Sequence, residues 1–231
     1  MSLFAKNELE IFPPENQSAT DERYIQQFLE HIGKLDLSYD MSPIEHSYTN
    51  PVLIVVDAVL SMNRNYNELV VPRLKIFQES GPESLHDLLL LITTIGHEEF
   101  CRIWKYNHLE RVRILEDLVK KFLMIQKEFG IESELEALRK WGKESKPEDF
   151  VSFQVRGIGF TTFQYLRILC GANTIKPDVH ISRAVYDATG KKFPERKIVT
   201  ILEQSADRLG VQASILDHAI WQHYSKKAAD K

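Results

Sequence analysis

The stretch Val155-Arg156-Gly157-Ile158-Gly159-Phe160-Thr161-Thr162 decides how the rest of the chain is read. Two glycines flank one aliphatic residue. Helical patterns lie on both sides, Phe150 to Phe153 before it and Thr161 to Cys170 after it, the second stopping at Gly171. Glycine adopts backbone conformations closed to other residues, so the segment predicts a tight hairpin between two short helices. Ile158 is expected to pack inward and hold the hairpin shut. The first N–H groups of the second helix then point outward, where the positive end of the helix dipole suits a phosphate oxygen. Thr161 and Thr162 offer hydroxyl donors, and Arg156, Arg167 and Lys176 offer charge. A dinucleotide-binding turn is excluded because no strand precedes and no third glycine follows at the required spacing; no Gly-Lys-Ser/Thr sequence marks a P-loop.

Outward from the hairpin the periodicity is helical almost throughout. Asn50-Pro51 reads as a cap followed by proline at the first helical position. The run Pro51 to Leu60 is apolar on nearly every side with Asp57 its only charge, which predicts a buried core helix. A second apolar run, Leu88 to Ile92, ends near Gly96. Asn107 is placed to cap a helix carrying Leu109, Val112, Leu115, Val119, Phe122 and Leu123 on one face, with Gly130 as its stop. Ser145 to Asp149 opens another helix. Pro177 and Asp178 start a helix towards Tyr186, and Ser205 to Leu209 and Ala213 to Tyr224 also read as helical. Residues 11 to 50, interrupted at Pro13-Pro14 and Ser42-Pro43, read as the loop-rich part. No hairpin signal separates alternating runs. The fold class expected is all-α.

The 231 residues are 43% hydrophobic and 27% charged, the composition of an ordinary globular protein rather than a disordered one. No run approaches the ~20 apolar residues of a membrane helix. The segment Met1 to Glu10 lacks the apolar core of a secretory signal. Two cysteines, Cys101 and Cys170, cannot build a disulfide framework or a four-thiolate cluster. These features predict a cytoplasmic protein. The net charge of -4 hides an asymmetry: residues 1 to 50 hold three basic and nine acidic side chains, whereas residues 151 to 200 hold eight basic and three acidic. Local fields rather than net charge attract phosphates, and the hairpin sits inside the basic stretch.

Beyond the hairpin comes Asn173-Thr174-Ile175-Lys176-Pro177-Asp178-Val179-His180-Ile181. Capping alone is a sufficient reason for an aspartate at position 178. The combination of hairpin, basic flank and Asp-x-His is more specific. It resembles the helix-hairpin-helix DNA glycosylase superfamily, which includes endonuclease III: a Gly-aliphatic-Gly hairpin, a helix, then an aspartate in an Asp-x-His-aliphatic context. Pro51 to Asn65, with Leu60-Ser61-Met62-Asn63, is similar to the family's early helix and its Leu-Ser-x-Gln turn. Asp217-His218-Ala219-Ile220-Trp221 resembles its closing helix, so the likeness spans residues 50 to 225.

The resemblance implies two helical lobes, 55–170 including the hairpin and 1–54 plus 171–231, with a DNA-binding cleft between them. It implies a DNA N-glycosylase of base-excision repair that acts on double-stranded DNA containing a lesion, as a monomer. Asp178 falls to the catalytic aspartate, whose negative charge stabilises a sugar losing its base and which orients or deprotonates a water. Arg156, Gly157, Ile158, Gly159, Thr161, Thr162, Lys176 and His180 fall to the DNA backbone. Asn63, flanked by Met62 and Arg64, matches the residue that fills the gap left by a flipped base. Tyr48, Tyr66 and Tyr165 are candidates for the base pocket, with Trp104 and Trp221 as further aromatic candidates.

Three departures refine the picture. Thr161 stands where bifunctional members carry a lysine nucleophile, so a monofunctional enzyme is expected. The cysteines exclude the family's iron–sulfur cluster. Arg156 replaces the usual proline before the hairpin. A monovalent cation on carbonyls of residues 155 to 159 is a further family expectation; no other cofactor or metal is expected. The rival readings are a non-catalytic module that binds damaged or bent DNA through the same hairpin, and a helical interaction domain with no nucleic-acid property.

Overall fold

The computed structural model describes residues 17–39 and 48–229, and every regular element among them is helical. Pro13-Pro14, Ser42-Pro43 and the segment Met1 to Glu10 lie outside the described residues. The eleven α-helices are α1 (Gln17–Ile32), α2 (Pro51–Leu60), α3 (Val71–Ser80), α4 (Leu85–Ile103), α5 (Leu109–Phe129), α6 (Glu134–Glu144), α7 (Phe150–Phe153), α8 (Phe160–Leu169), α9 (Val179–Thr189), α10 (Glu195–Leu209) and α11 (Ala213–Ala229). A π-helical turn, Tyr66–Val70, runs into α3, and a 3₁₀ turn, Pro147–Asp149, runs into α7.

The local signals act largely as read. Asn50 caps α2 by accepting the Val52 N–H at 2.8 Å, with Pro51 at the first helical position. All ten residues of α2 are buried, because its apolar side chains leave no polar face to present to water. Gly130 ends α5 and Gly190 ends α9.

Two expectations are corrected, at α1 and at the α5 cap. Residues 17–32, expected within a loop-rich region, form α1: Tyr24, Ile25, Phe28 and Ile32 recur at helical spacing and are all buried. The break expected near Gly96 is present: Gly96 takes the non-helical φ 80 and ψ 164, and a further helical stretch of α4 runs on to Ile103. The α5 cap is His108 rather than Asn107, its ring nitrogen accepting the Arg111 N–H at 3.4 Å.

Buried apolar side chains gather into two clusters. The larger draws on α2 to α8 and includes Val52, Leu60, Phe100, Trp104, Leu115, Phe122, Ile158 and Leu166. The smaller joins α1 to α9, α10 and α11 through Phe28, Ile175, Ile181, Leu202, Leu216 and Ile220. Val155 and Ile158, in the turn before α8, pack in the larger cluster, and Phe160 at the start of α8 packs in the smaller. The hairpin is thus built where the two clusters adjoin.

Inside the larger cluster α6 approaches α8 closely. A β-carbon on Gly142 would lie 2.6 Å from both the β-carbon and the carbonyl oxygen of Cys170. Helix propensity alone favours Gly142→Ala by about 1 kcal/mol. Overpacking reverses that sign, so the expected outcome is a net destabilisation of about 1–3 kcal/mol by chemical denaturation.

Candidate functional site

Between α7 and α8 the chain makes a tight turn. After α7, Gln154 takes φ 47 and Gly157 takes φ 81, and the Ile158 N–H donates to the Val155 carbonyl at 3.1 Å, closing the turn. Ile158 and Val155 are buried. A β-carbon on Gly157 would meet the Ile114 side chain at 2.5 Å, so both its conformation and its contact with α5 require glycine. Gly159 differs. It precedes α8 with an ordinary φ of -84 and no side-chain cap, and nothing lies within 4 Å of the place its β-carbon would take. That side of the turn is open, beside the uncapped amides of the α8 N-terminus.

Of the charges assigned to the hairpin, Arg156 is available. Its side chain is 86% exposed and, among the described residues, forms an ion pair with Glu110 alone, at 3.8 Å. Arg167 is not. It is buried, with its guanidinium donating to the Ser145 carbonyl and hydroxyl and to Gln164 Oε1. The expectation of Arg167 as a phosphate contact is therefore corrected: its position on α8 faces the core. The Thr161 hydroxyl is also committed, donating to Glu195 Oε1 at 2.7 Å and lying 3.3 Å from the Pro177 carbonyl. Thr162 is partly exposed.

That last contact brings the hairpin against the turn carrying Asp178. Asp178 caps α9, with Oδ1 accepting the N–H groups of His180 at 2.8 Å and Ile181 at 3.1 Å. Its other oxygen makes no hydrogen bond among the described residues. The preceding residue pair is pinned from α11: the Lys176 N–H donates to Asp217 Oδ1 at 2.9 Å, and the Asp178 N–H donates to the Lys176 carbonyl at 2.7 Å. His180 sets its ring edge against Trp221, with centroids 6.4 Å apart, and Trp221 in turn stacks on His218 at 6.1 Å. Lys176 was expected on the DNA backbone. Its ammonium instead lies 3.5 Å above the centroid of the buried Tyr165 ring.

The aromatic candidates divide. Tyr48, Tyr66 and Tyr165 converge on a group the sequence reading left as a core residue, the fully buried Asp57. Their hydroxyls donate to its carboxylate at 2.8, 3.0 and 3.1 Å, and the Ser61 hydroxyl adds a fourth bond at 2.7 Å. Burial and the charge of Asp57 push all three phenols up, so they remain protonated donors. Tyr165 has its face covered by Lys176 and cannot stack on a base. Tyr66 and Tyr48 are partly accessible, and Tyr66 meets Trp221 edge-on at 6.2 Å. Trp104 is wholly buried and serves the core.

In the turn after α2, Met62 packs against the larger cluster, whereas Asn63 and Arg64 are exposed. Asn63 holds φ 54. The turn is braced from below by Arg111, which donates to the carbonyls of Val59 and Met62. Arg64 donates to the Tyr106 hydroxyl at 2.8 Å.

Sequence reasoning missed two carboxylates. Asp57 had no polar neighbours in sequence to announce its role. Asp217 was seen only as part of a closing helix. Protein packed around its carboxyl, although the residue keeps some accessible surface, and the nearby charge of Asp178 hold it well above the usual carboxylate range. A surface pocket lined by Phe129, Trp141, Phe153 and Phe163 together with Glu128, Glu144 and Asp149 shares no residue with this site. Among the described residues no group of three or more His, Cys, Asp or Glu side chains could hold a metal ion, and no helix is long and apolar enough to cross a membrane.

A family model described as a domain of unknown function (DUF8548) matches residues 23–225, and the chain belongs to that family. No curated protein and no solved structure matches it.

Two outcomes follow from the geometry. Asp57→Ala removes the acceptor shared by four hydroxyls and is expected to cost about 3 kcal/mol or more, against about 1.5–3 kcal/mol for Tyr48→Phe, both by denaturant titration. Asp217→Asn keeps an acceptor for the Lys176 N–H. Because the folded acid titrates above its unfolded value of 3.8, the folded parent binds more protons and loses stability as pH rises from there. The variant is expected to be more stable than the parent at pH 7, with the advantage disappearing below about pH 4; thermal unfolding across that range measures it.

Proposed function

We propose that the protein is a monofunctional DNA N-glycosylase, with two helical lobes facing a DNA-binding cleft. One observation carries the reading: Asp178, with one carboxylate oxygen unspent, follows Pro177, whose carbonyl meets the Thr161 hydroxyl in the first turn of α8, where the helix amides are uncapped. The reading also draws on the likeness of the Gly157-Ile158-Gly159 and Asp178-Val179-His180 motifs to the glycosylase superfamily.

On this reading Gly159 and the amides of Phe160 to Thr162 grip a phosphate near the lesion, with Arg156 adding charge. Asn63, presented by the braced turn after α2, and the neighbouring Arg64 enter the duplex where the damaged base leaves it. Tyr48, Tyr66 and Trp221 border the space for the base. The bond between C1′ and the base breaks with its electron pair going to the base. Asp178 stabilises the positive sugar and accepts a proton from the water that bonds to C1′. The proton finally resides on the released base. Thr161 supplies no amine, so strand cleavage through a Schiff base is not part of the reaction.

The expected outcome is base release from at least one lesion in a duplex panel, seen as strand breaks only after alkali. Asp178→Asn is expected to abolish release while leaving duplex binding intact. Gly159→Ala is expected to preserve stability, since its β-carbon meets nothing, and to weaken duplex binding at least about tenfold by blocking one amide-bound phosphate. Equal activity of Asp178→Asn and parent overturns the mechanism. Binding without release on every lesion assigns the protein to the non-catalytic modules instead.

A further inference from the structure

Lys176 is the least explained charge at the site. Its backbone is fixed on both sides, by the bond from its N–H to Asp217 and by the bond from the Asp178 N–H to its carbonyl. Its ammonium rests on the Tyr165 ring at 3.5 Å. That ring is itself fixed, because its hydroxyl is bonded to the buried Asp57 at 3.1 Å. Yet among the described residues the ammonium has no hydrogen-bond acceptor and no ion-pair partner within 4.0 Å, although it is partly buried and two residues from Asp178. Three N–H donors on a positioned charge are left unspent.

We infer that Lys176 selects the substrate class: neutral bases bearing ring carbonyls, the deaminated or oxidised kinds, which depart as anions. This rests on the glycosylase reading of the same site. As the glycosidic bond breaks, positive charge builds on the sugar and negative charge on the base. A carboxylate at residue 178 and an ammonium at residue 176 match that pair of charges in sign. The ammonium donates to a carbonyl oxygen or ring nitrogen of the departing base, where the developing charge collects; a donor fixed beforehand stabilises such charge without reorganising. Proton transfer to the base anion completes the hydrolysis. A base made cationic by alkylation leaves as a neutral molecule, so it gains nothing from the lysine, and while bound it is repelled by it.

The test is single-turnover release of free base, quantified by mass spectrometry, from duplexes carrying uracil, hypoxanthine, 8-oxoguanine or 7-methylguanine. The expected result is release of one or more of the first three and none of 7-methylguanine. Lys176→Gln is expected to slow release on the order of 100-fold, the loss typical of one electrostatic donor, with binding to a duplex holding an abasic-site analogue unchanged. Lys176→Arg, which keeps the charge, is expected to recover part of the rate. If uracil is a substrate, the loss is smaller for 5-fluorouracil, a better leaving group that needs less help. Release of 7-methylguanine alone overturns the inference and leaves the glycosylase reading standing, whereas no release from any duplex removes the reading itself. A Lys176→Gln variant that loses affinity for all duplexes equally, with no dependence on leaving group, makes Lys176 a backbone contact and also overturns the inference.

Discussion

A buried aspartate is costly unless its oxygens are occupied, and Asp57 meets that constraint with four hydroxyls from three separate parts of the chain. Tyr48 comes from the segment before α2, Ser61 and Tyr66 from the turn after it, and Tyr165 from α8. None of these positions is close in sequence to all the others, so the carboxylate acts as a knot that fixes where the segments meet. Its effect extends outward. Tyr66 carries the edge of Trp221, which carries His180; Tyr165 carries Lys176. The side chains around Asp178 therefore inherit their positions from a charge that itself never reaches solvent.

A second polar knot ties the hairpin to the smaller cluster. Arg167 on α8 bonds to Ser145 and Gln164, Gln164 bonds to Thr174, and Thr174 donates to Glu203 on α10 at 2.7 Å. Burial lowers the affinity of Arg167 for its proton and raises that of Glu203, so each ion is expensive alone and tolerable through the other's charge and the shared hydroxyls. Hydrophobic packing tolerates small slides between helices. A chain of directional bonds does not. The relative placement of hairpin and Asp178 turn, which any chemistry at the site requires, is set by such bonds rather than by apolar area.

This division explains what could be read from sequence. The all-helical class, the α2 cap at Asn50, the hairpin and the Asp178 cap were legible because each is decided within a few residues by periodicity, proline, glycine or an N-cap. What was not legible depends on distant partners. Arg167 looked like one more charge in a basic stretch until α8 placed it over Ser145. Thr161 looked like a free hydroxyl until Glu195 folded back onto it. The tyrosines were noticed as aromatic rings, but the carboxylate gathering their hydroxyls lay in a run whose apolar neighbours concealed it. Helix α1 shows the opposite failure: its four buried side chains are locally periodic, but the prolines and charges nearby drew attention away.

Charge is arranged at the site in a way that the net value of -4 conceals. On the proposed function a phosphate needs only a short-range field, and uncapped amides at α8 with Arg156 provide it without a basic surface. Nearer the reacting bond the requirement changes from attraction to polarity. Two like charges at Asp178 and Asp217 would both attract cations and repel each other. Burial and the charge of Asp178 raise the affinity of Asp217 for its proton, which lessens the negative charge beside Asp178, and the positive charge of Lys176 stands opposite. Asp217 thereby serves as a brace that accepts the Lys176 N–H, and the stability it forfeits as pH rises by being a buried acid is the cost of holding the lysine and Asp178 in one turn. An asparagine would brace the same N–H more cheaply.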